Sequence, residues 1–184
     1  MNKLQFVVIL GLIILSASVV SAIDFTGWKQ IEVNESLINS TSSTNYTVMV
    51  PPGYTNNTID SPIGVVTSFV NQTDPNSLIS IIVIDNEIGE KLNDKNSKLY
   101  LDNFMLGANI SPINGTEPNY LSDGGIVDYG TSGDEIDGIY ILSTDEKVMI
   151  VTGMYNNIDS ATAGVENLAL IAGTISIVSP TNSE

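Results

Sequence analysis

LISIIVIDNEIGEKLNDKNSKLYLDNFML, residues 78–106, is the stretch that decides how this chain folds. Its first seven residues, Leu78 to Ile84, are β-branched or leucine everywhere except Ser80. A run with no polar alternation reads as a central strand buried on both faces. The period then changes. Between Lys91 and Leu106 the apolar residues Leu92, Leu99, Tyr100, Phe104 and Met105 recur at spacings of three, four and seven. That predicts an amphipathic helix over Asp94–Leu106, with Gly107 as its stop.

Working outward, WKQIEV (28–33), YTVMV (46–50) and IGVVTSFV (63–70) read as strands on the N-terminal side. Asn34–Asn45 and Tyr54–Pro62 read as polar loops, Pro51-Pro52-Gly53 as a turn, and residues 71–77 as a hairpin connection. After the helix, Asn109–Gly125 reads as loop. Strands are expected at Ile126–Thr131, Gly138–Ser143 and Lys147–Tyr155, the last two joined by Thr144-Asp145-Glu146. A second helix is expected over Ser160–Ala172, with Asp159 or Ser160 as N-cap and Gly173 as stop, followed by a strand, TISIV (174–178). The expected class is α+β: a largely antiparallel, twisted sheet with two helices packed on it.

The composition excludes much chemistry. The chain has 184 residues, 21 Asp+Glu, 6 Lys and no His, Cys or Arg, for a net charge of −15. That removes nitrogen/sulfur zinc and haem sites and every nucleophile that relies on an imidazole or a thiol. Nucleic acid is excluded as a partner, because that affinity comes from cations that neutralise phosphates. No Gly-rich loop followed by Lys and Ser/Thr is present to cradle a phosphate.

Residues 1–22 read as a signal peptide. Lys3 precedes an apolar run from Phe6 to Leu15, and Val20, Ser21 and Ala22 set up cleavage before Ile23. Residues 23–179 then form a single domain and 180–184 a tail. The protein is expected to be secreted or at the outer cell surface. It would touch the membrane only through the leader, should that remain uncleaved. Seven Asn-x-Ser/Thr triplets occur, at Asn34, Asn39, Asn45, Asn56, Asn71, Asn109 and Asn114. With 19 Asn and 35 Ser+Thr, chance supplies roughly 3.6. These are N-glycosylation candidates in an exported chain, apart from Asn45, which would enter a strand.

The densest acidic stretch, SDGGIVDYGTSGDEIDG (122–138), holds Asp123, Asp128, Asp134, Glu135 and Asp137 among glycines. Asp123, Asp128, Asp134 and Asp137 are the candidate ligands for Ca²⁺, a hard cation that takes several oxygens. The spacing is not that of an EF-hand, and hairpin-turn chemistry is the preferred reading. No cofactor is otherwise expected. A carboxylate pair could serve a hydrolase, but with a single Trp to stack on sugar that reading ranks last. Lys91, Lys95 and Lys98 form a stripe on the first helix, read as a solvated face paired with neighbouring acids.

Trp28 leading the first strand, YTVMVPPGY (46–54), the helix near Tyr100–Phe104, the pair DGIYILST/KVMIVTGMY and the closing helix into TISIV resemble the PsbP-like fold family over residues 28–178. Tyr54 stands where that family usually has Trp, and its metal-linked His has no counterpart here. The resemblance implies a small accessory domain that binds other proteins, and it transfers no catalytic residue. The function expected from the sequence is therefore a non-enzymatic, exported binding domain for a protein or a cell-envelope polymer. A Ca²⁺-binding surface domain and a carboxylate-dependent hydrolase are the alternatives.

Overall fold

A computed structural model describes residues 25–36, 43–61, 64–73, 77–114, 117–121 and 124–178. Residues 1–22, read above as a signal peptide, Asn39, Asp123 and the tail 180–184 lie outside the described residues. The chain runs β1 (Lys29–Ser36), β2 (Ser43–Val50), β3 (Tyr54–Ser61), β4 (Gly64–Asn71), β5 (Leu78–Asp85), α1 (Asp94–Gly107), β6 (Ser111–Pro112), β7 (Asn119–Tyr120), β8 (Ile126–Ser132), β9 (Glu135–Ser143), β10 (Lys147–Tyr155), α2 (Ile158–Thr174) and β11 (Ser176–Val178).

The strands form two sheets. The larger has the order β3-β4-β5-β10-β9-β8-β6, with β7 also on β8; the smaller is β1-β2-β11. All pairings are antiparallel. The large sheet is two meanders, β3-β4-β5 and β8-β9-β10, joined where β5 meets β10 with Ile150 opposite Ile82. α1 is the crossover between them.

Both faces of this sheet are covered, which is why Leu78–Ile84 carries no alternation. On one face Phe69, Ile79, Ile81, Val83, Val127, Tyr140, Met149 and Val151 pack under Tyr46, Val48 and Val50 of the small sheet and Leu168, Ile171 and Ala172 of α2. On the other, Ile82, Ile126, Ile139, Ile141, Val148 and Ile150 pack under Leu101 and Met105 of α1. The class expected from the sequence, α+β with two helices on an antiparallel sheet, is the one observed.

The helices start and stop for identifiable reasons. The Asn93 side chain accepts the Asn96 N–H (3.1 Å) at the start of α1, and Asp94 complements its dipole. α1 ends beyond Gly107, where Asn109 takes the left-handed conformation (φ 57°). The cap of α2 is Asn157, which accepts from Ser160 N at 2.9 Å, not Asp159 or Ser160; the helix begins at Ile158, two residues before the expected start. At its other end the Thr174 hydroxyl donates to Ile171 O (2.7 Å) and accepts from Met49 N (2.9 Å), which ties α2 to β2.

Three expectations need correction. Asn34–Asn45 is strand at both ends: β1 runs on to Ser36 and β2 begins at Ser43. Tyr54–Pro62 is largely strand: β3 pairs with β4 along its whole length. Its polar sequence hides it, because it is an edge strand defined by its partner and not by an apolar stripe. The Asn109–Gly125 loop also contains β6 and β7, each of two residues.

Candidate functional site

The elements leave a groove where the ends of β3, β5 and β10 meet the middle of α2. It has a volume of about 210 Å³ and is lined by Pro51, Tyr54, Ser77, Leu78, Tyr155 and Asn167, with Gly164 and Leu168 on the α2 side. Among the described residues no charged side chain lines it. On a chain of net charge −15 that is an uncommon surface, and it favours a neutral partner over an anionic one.

Tyr155 is the centre of the groove. Its ring lies back along β10 over Gly153, where a Cβ would come within 2.6 Å of the hydroxyl. A Cβ on Gly138 would come within 3.1 Å of the same ring, and one on Gly164 would overlap it. Three glycines on β9, β10 and α2 thus make the slot that lets helix and sheet close on a tyrosine. The hydroxyl has no hydrogen-bond partner among the described residues. Burial, and then the nearby Tyr54 and Tyr129, push its pKa well above the ordinary tyrosine value, so it remains a neutral donor. The Tyr54 hydroxyl and Ser77 Oγ share a hydrogen bond of 2.6 Å beside it. The site therefore offers an apolar floor, an unengaged phenol, a second phenol held by a serine, and the exposed amide of Asn167.

The acidic stretch lies elsewhere. Asp128 on β8 and Asp137 on β9 both face α1, in diagonal register: Asp128 opposes Ile139 and Asp137 opposes Gly130. Asp134 is exposed at the hairpin tip between the strands. Among the described residues no three acidic side chains converge into a metal-binding group. Burial raises the Asp128 pKa, while the Tyr129 N–H (2.8 Å) and Lys98 pull it down. Lys98 itself is held by Asp102 (2.7 Å), one turn along α1.

Asp137 is only 7% exposed, and its buried Oδ2 has no hydrogen-bond partner among the described residues. Burial, with Glu135 adding to it, pushes its carboxyl up to about 6. Above pH 6 both native and unfolded chains carry this carboxylate ionised, and the native state bears the full desolvation penalty. Between pH 6 and about 4 the native state takes up the proton first, so the penalty fades. Asp137→Asn is therefore expected to be more stable than the wild type by about 1–2 kcal/mol at pH 7, with the difference vanishing near pH 4. Urea unfolding of both proteins across that range measures it; a constant difference would contradict the assignment.

In the sequence Tyr54, Ser77, Tyr155 and Asn167 share no motif or spacing that marks them as a site. Isolated glycines inside a strand and a helix, Gly153 and Gly164, are the local signal that a close approach is being built there. No protein-family model matches the chain, and no curated protein does either.

Proposed function

We propose that the chain is an exported, non-enzymatic binding domain. It acts as a secreted or cell-surface protein and engages a neutral segment of a protein or envelope polymer through the Tyr54–Tyr155–Asn167 groove. The observation that carries this reading is the groove beside Tyr155, which among the described residues has no charged side chain in its lining and leaves the Tyr155 hydroxyl without a hydrogen-bond partner. A binding site of this kind needs a few placed polar groups over an apolar floor, and Tyr54, Tyr155, Ser77 and Asn167 supply them. The PsbP-like resemblance points to the same role, an accessory module without catalytic residues. Export rests on residues 1–22 and on the excess of glycosylation triplets.

The test is capture from envelope extract on immobilised residues 23–184, wild type against Asn167→Trp. Asn167 is exposed on α2, so the indole fills the groove mouth without disturbing the core. A specific partner is expected on the wild type and reduced about tenfold on the variant, a loss of about 1.4 kcal/mol. Equal capture by both would reject the groove.

A further inference from the structure

We propose that Asn56 and Asn109 carry N-linked glycans that cap β3 and β6, the two outermost strands of the eight-stranded sheet among the described residues. The Asn-x-Ser/Thr triplets are about twice as frequent as chance supplies, and the fold sorts them by place. Asn56 is exposed on β3, one edge of the large sheet. Asn109 and Asn114 are exposed on either side of β6, the opposite edge. Asn34 lies on β1, an edge of the small sheet. Asn45 differs: it is half-buried on the central strand β2, between Asn34 and Val178 in register. Asn71 differs too, since its Oδ1 accepts from both the backbone N–H (2.9 Å) and the hydroxyl (2.8 Å) of Thr73.

An open edge strand is a template for pairing with another chain, and proteins guard it with lysine, proline, bulges or a covering group. β3 is eight residues long, YTNNTIDS, with no lysine and no proline. β6 is short and carries Pro112, and Asn109, exposed in a left-handed turn, lies two residues before it. A sugar on Asn56 excludes a second strand from β3 by bulk and hydration. In the modification the Asn Nδ2 gives up a proton to a base of the transferase and bonds to the anomeric carbon of a lipid-phosphate-linked sugar. The carbon–oxygen bond to phosphate breaks, and its electron pair leaves with the phosphate.

The inference rests on export, which belongs to the function proposed above, and one experiment separates the two. Peptide mass spectrometry of the protein from its own cells reads both the N-terminus and the asparagines. A chain that starts at Ile23 with sugar on Asn56 and Asn109 is the expected result. A processed N-terminus with both asparagines bare overturns the glycan assignment alone, whereas an intact leader and bare asparagines overturn export as well. The capping role is read by sedimentation of Asn56→Gln and Ser111→Ala, the latter chosen because Asn109 holds a left-handed backbone. Both are expected to double the apparent mass, about twofold, as second copies pair along the edges. Glycosylated wild type and bare variants with equal sedimentation would overturn capping.

Discussion

Leu101→Ala is expected to destabilise the protein by about 2–5 kcal/mol. Leu101 is fully buried and is the central knob of α1, one turn from Ser97 and one from Met105, seated on Ile82, Ile126, Ile139, Ile141, Val148 and Ile150. Alanine removes three carbons from a close-packed site and leaves a cavity that a sheet, stiff in its ladder, closes poorly. The control is two residues away. Leu99 is 56% exposed on the outer face of the same helix, and its replacement by alanine is expected to change stability by no more than about 0.5 kcal/mol. Urea unfolding of the two variants measures the contrast. Equal effects would mean that α1 is rotated on the sheet.

The second large effect has an unusual sign. Alanine is the better helix former by about 1 kcal/mol, so Gly164→Ala in an ordinary helix stabilises. Here the added methyl meets the Tyr155 ring, which Gly153 and Gly138 hold from the other side. Overpacking of this kind costs about 1–3 kcal/mol and outweighs propensity, so Gly164→Ala is expected to destabilise by up to about 2 kcal/mol net. Removing the obstacle reverses the sign: in a Tyr155→Leu background the same change is expected to stabilise. A double-mutant cycle by thermal or urea unfolding reads the coupling. Additive effects would show that helix and ring do not meet.

The fold was partly legible in the sequence because its clearest elements are locally coded. Leu78–Ile84 has no polar position to spare for solvent, and β5 lies between β4 and β10 with both faces covered. Lys147–Tyr155 matches β10 residue for residue, because Thr144 and the two acids after it bracket it sharply. β3 escaped notice because Thr55, Asn56 and Asn57 carry no strand pattern; only pairing with β4 makes them a strand. The division into two sheets was hidden for a related reason. Nothing within TISIV says that Ser176–Val178 will pair with β2, more than a hundred residues earlier, and leave the large sheet.

The site was the least legible part. Tyr54, Tyr155 and Asn167 come from β3, β10 and α2, and Ser77 from the residue before β5; no sequence spacing brings them together. The acidic stretch was prominent because its residues are neighbours in sequence. In space β8 and β9 turn two of those carboxylates toward α1 and leave Asp134 at the exposed tip. Sequence proximity there is the signature of a hairpin.

The groove is tested most directly by its amides. Residues 23–184, labelled with ¹⁵N, are titrated with the partner captured from envelope extract while the backbone shifts are followed. The shifts are expected to concentrate at Tyr54, Ser77, Leu78, Tyr155 and Asn167, with the α1 positions Leu99 and Leu106 unmoved. Shifts confined to α1 or to the sheet edges, with Tyr155 and Asn167 unchanged, would contradict the account.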